Sequence, residues 1–232
     1  MRKKLSTPWS SISDVMAGLM MVFLFISVSY AFQVTQQAVE LESTNKRISS
    51  IVAEYSDDRA VIYRSLMEKF GDRLEGWKAT IDKDTLTLRF NDPALLFKPG
   101  SAELTDRFEA ILGEFWVDYT QILAHHSKSI REVKIEGHTS SEWAGASIEE
   151  SYFNNMKLSQ ERTRSTLFTC YQLTPGNLQK WVRSFVTANG MSFSRRILNE
   201  NGQEDLGRSR RVEFTIVVDS KSTLEELEGE LK

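Results

Sequence analysis

Asp14 stands directly before an unbroken apolar run, Val15 to Ile26, that continues with only small polar interruptions to Phe32. An ionised carboxylate in a membrane span is unfavourable by roughly 2.5–3.5 kcal/mol at a helix centre on insertion scales. A chain that needed only an anchor would gain stability from Leu or Ala there. A carboxylate kept at that depth is by default a candidate carrier of an ion or proton. Other reactive side chains are few. His125, His126, His138 and the single Cys170 offer no metal-ligand spacing and no nucleophile–base pair. The chain therefore does not read as an enzyme, and neither a metal nor a cofactor is expected.

The elements that hold Asp14 follow from the pattern around it. Val15–Phe32 is 18 residues, about 27 Å as a helix. With the uncharged turn Trp9–Ser13 it is long enough to cross a hydrocarbon core of about 30 Å. Arg2, Lys3 and Lys4 precede it, so the positive-inside rule keeps residues 1–14 cytoplasmic and sends everything after Phe32 across the membrane. Asp14, Gly18, Met21 and Phe25 share one helix face. Lipid cannot partner Asp14, so other helices are implied. The competing reading is a cleaved signal peptide, supported by the basic start and by Ser29-Tyr30-Ala31. The length of the run and Asp14 itself oppose it.

Residues 33–78 follow with no proline, and no glycine until Gly71. Steps of four and three from Val34 reach Ala38, Leu41, Asn45, Ile48, Val52, Tyr55, Arg59, Ile62 and Leu66. Eight of these ten are apolar or aromatic, a heptad-like repeat. The pattern predicts a coiled-coil stalk and a homodimer, with Asn45 fixing register. The alternative is a long amphipathic helix packed on its own domain.

Residues 79–219 read as an α+β domain. Thr85–Phe90 alternates as a strand, Glu103–His125 is helical, and Val133–Glu136 is a second strand. Leu158–Leu173 and Trp181–Asn189 read as helices, the latter ended by Gly190, and Arg211–Val218 as a final strand. Residues 220–232 form a charged tail. Net charge is −3, with charged residues at 26%, so nothing points to direct nucleic-acid binding.

Four motifs in this region resemble a known family. Phe97-Lys98-Pro99-Gly100-Ser101-Ala102-Glu103-Leu104, Ile135-Glu136-Gly137-His138-Thr139, Asn155 to Arg162, and Ser209-Arg210-Arg211-Val212-Glu213 are similar, in order and spacing, to the OmpA-like peptidoglycan-binding domain. The resemblance implies an α/β sandwich and a diaminopimelate ligand, which carries carboxylate and ammonium groups. It implies binding residues at Thr139, Ser140, Asn154, Asn155, Leu158, Arg162 and Arg210. An Arg fork suits a carboxylate. Ser140 stands where the family usually has Asp, the partner of the ligand's ammonium. Glu142, Glu149 and Glu150 are the nearby substitutes. His138 reads as a structural histidine.

The front end resembles a second family. Trp9-Ser10-Ser11-Ile12-Ser13-Asp14, followed by Val15-Met16-Ala17-Gly18-Leu19-Met20-Met21, is similar to the B subunits of ion-driven stators of the flagellar MotB type. Within that class it looks most like the membrane subunit of Zorya anti-phage defence systems. The resemblance implies a bacterial inner-membrane, single-pass chain with a periplasmic C-terminal domain. It also implies a homodimer inside a pentamer of a ZorA-like (MotA-like) subunit, with Asp14 carrying the ion. Protons are favoured over sodium. The alternatives are a flagellar stator subunit and a passive membrane-to-wall tether.

Overall fold

The computed structural model describes residues 8–98 and 100–219. The charged tail expected over 220–232 and the basic residues Arg2, Lys3 and Lys4 lie outside the described residues. Helix α1 covers Pro8–Phe70, with proline at its start, where a missing N–H leaves no bond unmade. The chain divides into two compact units between Val52 and Ala53.

The first unit is helical. Within Ile12–Ser50 an 18-residue window reaches a mean hydropathy of 2.2 and none of it is buried. It is the described helix long and apolar enough to cross a membrane. Val34, Leu41 and Ile48, seven residues apart, are also exposed.

In the second unit a short 3-10 turn at Gly71–Arg73 leads to strand β1 (Ala79–Asp82) and strand β2 (Thr87–Phe90). Then come α2 (Pro93–Leu96), α3 (Asp106–His125), β3 (Ile130–His138), α4 (Ile148–Leu173), α5 (Gly176–Phe185), β4 (Val186–Gly190), α6 (Leu206–Ser209) and β5 (Arg211–Val218). The sheet has five strands in the order β1-β2-β5-β3-β4. Only β3 and β4 pair in parallel. This is the α+β class expected. β5, last in sequence, lies at the sheet's centre between β2 and β3, so the sheet closes only when the chain is complete.

Period-two alternation sorts the two sheet faces. Leu88, Phe90, Val133, Ile135, Val212, Phe214 and Ile216 are buried in the core with Phe108, Phe115, Trp116 and Tyr119 of α3. The intervening residues Arg89, Glu136, His138, Arg211 and Glu213 build the opposite, polar face.

Three expectations are corrected. Trp181–Asn189 is not one helix: α5 stops at Phe185 and Val186–Gly190 is an edge strand. Val186 and Thr187 are β-branched and favour a pleated surface. The first strand, β1, escaped the pattern altogether. The segment expected as stalk to residue 78 is also too long. Ile62, Leu66 and Phe70 are almost wholly buried in the domain core, Phe70 tilted against Trp77 and Phe115 with centroids 5.8 and 5.4 Å away. From Ile62 onward α1 belongs to its own domain.

Helix α4 starts ten residues before the apolar pattern suggests. Its cap is a full capping box: Ser147 accepts from the Glu150 N–H and Glu150 accepts from the Ser147 N–H. Its buried face is a row of small residues, Ser151, Asn155, Ser159, Thr163, Thr166 and Cys170. Thr163 and Thr166 donate back to the carbonyls of Ser159 and Arg162, so these hydroxyls are satisfied within the helix. Small residues let α4 lie hard on the sheet. A Cβ on Gly137 would come 2.7 Å from Thr163 Cγ2, and one on Gly190 would strike the Gln160 backbone nitrogen. Gly190→Ala is expected to lower stability by about 1–3 kcal/mol, the usual effect of overpacking, read as a drop in the urea midpoint. An unchanged midpoint would mean that α4 is free to lift.

Candidate functional site

Where α4 faces the sheet lies a narrow crevice of about 10 Å³. Its walls include Phe97, Gly137, His138, Arg162, Arg210 and Arg211. Arg162 projects from α4 about four turns after the Ser147 cap. Its Nε donates to the Ser101 carbonyl at 2.9 Å, and its guanidinium sits 4.8 Å from the Phe97 ring centroid. Stacking on an aromatic face holds the planar fork in one orientation. Among the described residues no carboxylate pairs with Arg162. Burial, and then the neighbouring Arg210 charge, bring its pKa down to about 10. It remains a cation at neutral pH, partly stripped of water, beside a second cation.

Arg210, just before β5, lies with Nη1 3.6 Å from Glu142 Oε2. Glu142 also accepts from Asn155 Nδ2 through its carbonyl, at 3.4 Å. Asn155 thus holds the loop that carries Glu142. The structure brings Asn155 and Arg210 to this loop and sets Arg162 beside Arg210, with Leu158 one turn before Arg162 on the same helix. Thr139 and Ser140 are buried at the end of β3. The Thr139 N–H donates to the Ser192 carbonyl, and its buried hydroxyl has no partner among the described residues. Asn154 is exposed and faces a separate groove beside Trp143. Sequence reasoning missed the Phe97 ring and the Ser101 carbonyl as supports for Arg162, although both lie in a quoted motif. It also missed Glu204, which accepts from the Ser141 N–H at 3.1 Å and from its hydroxyl.

Beneath the cleft is a buried charge network. Glu213 accepts from Arg211 Nε at 2.7 Å and from Arg89 Nε at 2.6 Å. Glu136 accepts from Arg195 Nη1 at 3.2 Å and from the Thr215 hydroxyl. His138 Nε2 lies 3.3 Å from Glu213 Oε2. Burial lowers the His138 pKa, an effect only partly offset by Glu213, so the ring is neutral at pH 7. Burial alone would push the Glu213 carboxyl up. The His138 and Arg211 contacts outweigh it and hold the group well below the usual carboxylate range. Ligand-capable atoms of Glu136, His138 and Glu213 lie within 4.8 Å of one another. Three guanidinium groups already share the two carboxylates, so the donor set fits an ion-pair network better than a divalent metal.

No protein-family model matches the chain. A MotB-like protein from Desulfovibrio vulgaris superposes with a TM-score of 0.53 at 21% identity, over 72% of this chain and 98% of that one. The OmpA-like domain of FopA1 from Francisella tularensis gives a TM-score of 0.39 at 18% identity, over 61% and 81%. The α+β domain thus has the fold of that MotB-like protein, and one long apolar helix precedes it here. Zorya protein ZorB of Escherichia coli strain Crooks is 42% identical over 215 residues, 92% of this chain and 88% of that protein. The chain belongs to the ZorB family.

Proposed function

We propose that this chain is the B subunit of a proton-driven, stator-like motor in Zorya anti-phage defence. It works as a single-pass protein of the bacterial inner membrane, with its C-terminal domain in the periplasm bound to peptidoglycan. Two copies pair along the exposed row Val34, Leu41 and Ile48, inside a pentamer of a ZorA-like subunit. Asp14 carries the proton. The wall holds the dimer still, so the motion appears in the surrounding ring.

The observation that carries this reading is the Arg162 guanidinium. It is stacked on Phe97, sits beside Arg210, and is matched to no carboxylate among the described residues. Such a fork is built for a carboxylate brought from outside. The stem peptide of peptidoglycan supplies one through diaminopimelate, whose ammonium then meets Glu142. That residue takes the part the resemblance gives to the Asp replaced by Ser140. With ligand bound, Glu142 trades Arg210 for the ammonium, and the ligand carboxylate takes the two arginines. Arg162→Ala in the full chain is expected to weaken retention on purified sacculi by about tenfold to a hundredfold, the range for hydrogen bonds to charged groups. Wild-type retention by that variant would refute wall binding at this cleft.

A further inference from the structure

A second groove lies on the loop that carries Glu142, lined by Trp143, Ala144, Gly145, Glu149, Phe153 and Asn154. Trp143 is 40% exposed and Phe153 62% exposed. Two large aromatic rings left open beside a carboxylate and a carboxamide are not needed by the fold, whose core lies elsewhere. We infer that this groove is a sugar subsite that takes an N-acetylated amino-sugar ring of the glycan strand.

The chemistry matches on both sides. A pyranose presents a face of C–H groups, which the negative face of an aromatic ring attracts. Its hydroxyls and acetamide N–H need acceptors at the edge, and Glu149 and Asn154 carry them. The two walls are set in advance. The Trp143 carbonyl accepts from the Ala146 N–H at 3.2 Å, and Gly145 turns the loop at a φ of +74°. The Phe153 ring meets Tyr152 edge-on at 5.6 Å, and Tyr152 in turn meets Phe193 at 5.4 Å. The Tyr152 carbonyl is tied to the Ser192 hydroxyl. A groove fixed this way loses little entropy on binding.

Position selects the occupant. Trp143 follows Glu142, the residue that contacts Arg210, and Asn154 precedes Asn155, the residue that holds the Glu142 loop. The groove therefore begins one residue from the polar groups beside the cleft, along both the loop and α4. In peptidoglycan, what adjoins the stem peptide is the sugar that bears it. The inference rests on the wall-binding reading for its source of glycan.

The test uses the full chain in detergent and three probes: the free stem tripeptide, a disaccharide carrying that tripeptide, and glycan chains stripped of peptide by an amidase. Trp143→Ala is expected to weaken the two sugar-bearing probes about fivefold and leave the tripeptide unchanged, in line with one lost aromatic stack. Trp143→Phe should restore most of the difference, which separates stacking from misfolding. Arg162→Ala should lose the tripeptide yet keep the peptide-free glycan. Unchanged glycan affinity in Trp143→Ala, or no uptake of peptide-free glycan by the wild type, would overturn the subsite. Uptake of glycan without uptake of tripeptide would sink the stem-peptide reading and leave the groove standing.

Discussion

Asp14→Asn abolishes proton flux and phage protection while the chain still co-purifies with its partner subunit; that is the expected result with the largest effect. Asn keeps the size and hydrogen bonding of the side chain but cannot gain or lose a proton. In the single chain Asp14 is exposed, as is every side chain of the apolar window around it. Under the proposed carrier role, the partners that make a carboxylate tolerable there come from other chains. Each charge that crosses releases about 2.3 kcal/mol per 100 mV. A protonated Asp14 loses its preference for a polar partner, and releasing the proton restores it. Under the proposed carrier role, that alternation would bias a two-state helix arrangement. Protection and flux by the Asn variant would refute the carrier role. Asp14→Leu separates the rival tether: a passive anchor would tolerate the change, whereas a motor would stop.

The second large effect is on stability. Glu213→Ala is expected to destabilise the domain by about 3–5 kcal/mol, because it strands buried arginine charge. Arg211 loses its carboxylate with only 5% of its side chain exposed, and Arg89 loses the same partner. A urea midpoint within experimental scatter of the wild type would show that Glu136 and water replace Glu213. The same network sets an acid limit. The folded pKa of Glu213 lies below its unfolded value, so its contribution is complete above the unfolded pKa of about 4.3 and is lost as pH falls toward the folded value. His138 also has a lowered folded pKa, so the unfolded chain binds the extra proton first. Its loss begins as pH falls through about 6.5. On the acid side stability therefore falls in two stages from neutrality downward. His138→Gln should remove the upper stage. A profile in which that variant keeps the loss between neutrality and the carboxylate range would place the sensitivity elsewhere.

Much of this architecture was legible where one physical signal dominated. β2, β3 and β5 alternate apolar and polar residues, and α3 spaces its large apolar residues by threes and fours. The start of α4 was not legible from apolar periodicity, because its buried face is Ser and Thr. Its Ser147-x-x-Glu150 box was present all the same. β4 was read as helix because its five residues carry Ala188 and Asn189 as well as β-branched Val186 and Thr187. Ile62 and Leu66 satisfied a heptad pattern, yet spacing alone cannot tell a partner helix from the chain's own core. Among the site residues, Asn155 and Arg210 both touch the Glu142 loop, while Arg162 is held by Ser101 and Phe97 beside Arg210. The Phe97 stack, the Glu142 ion pair and the arginines gathered on Glu136 and Glu213 depend on contacts between residues distant in sequence, which no local pattern carries.

The burial of Ile62, Leu66 and Phe70 also has a mechanical meaning. A domain joined to its leading helix by a glycine-rich leash behaves as a soft spring, and the first part of any pull is spent straightening it. Here the last two turns of the helix are plugged among Trp77, Phe115 and the rest of the core. Tension on that helix meets side-chain packing at once, and the joint can give way only by extracting large apolar side chains into water. The domain is thus gripped by its own entry helix as a tool is by its handle, with almost no backlash at the grip.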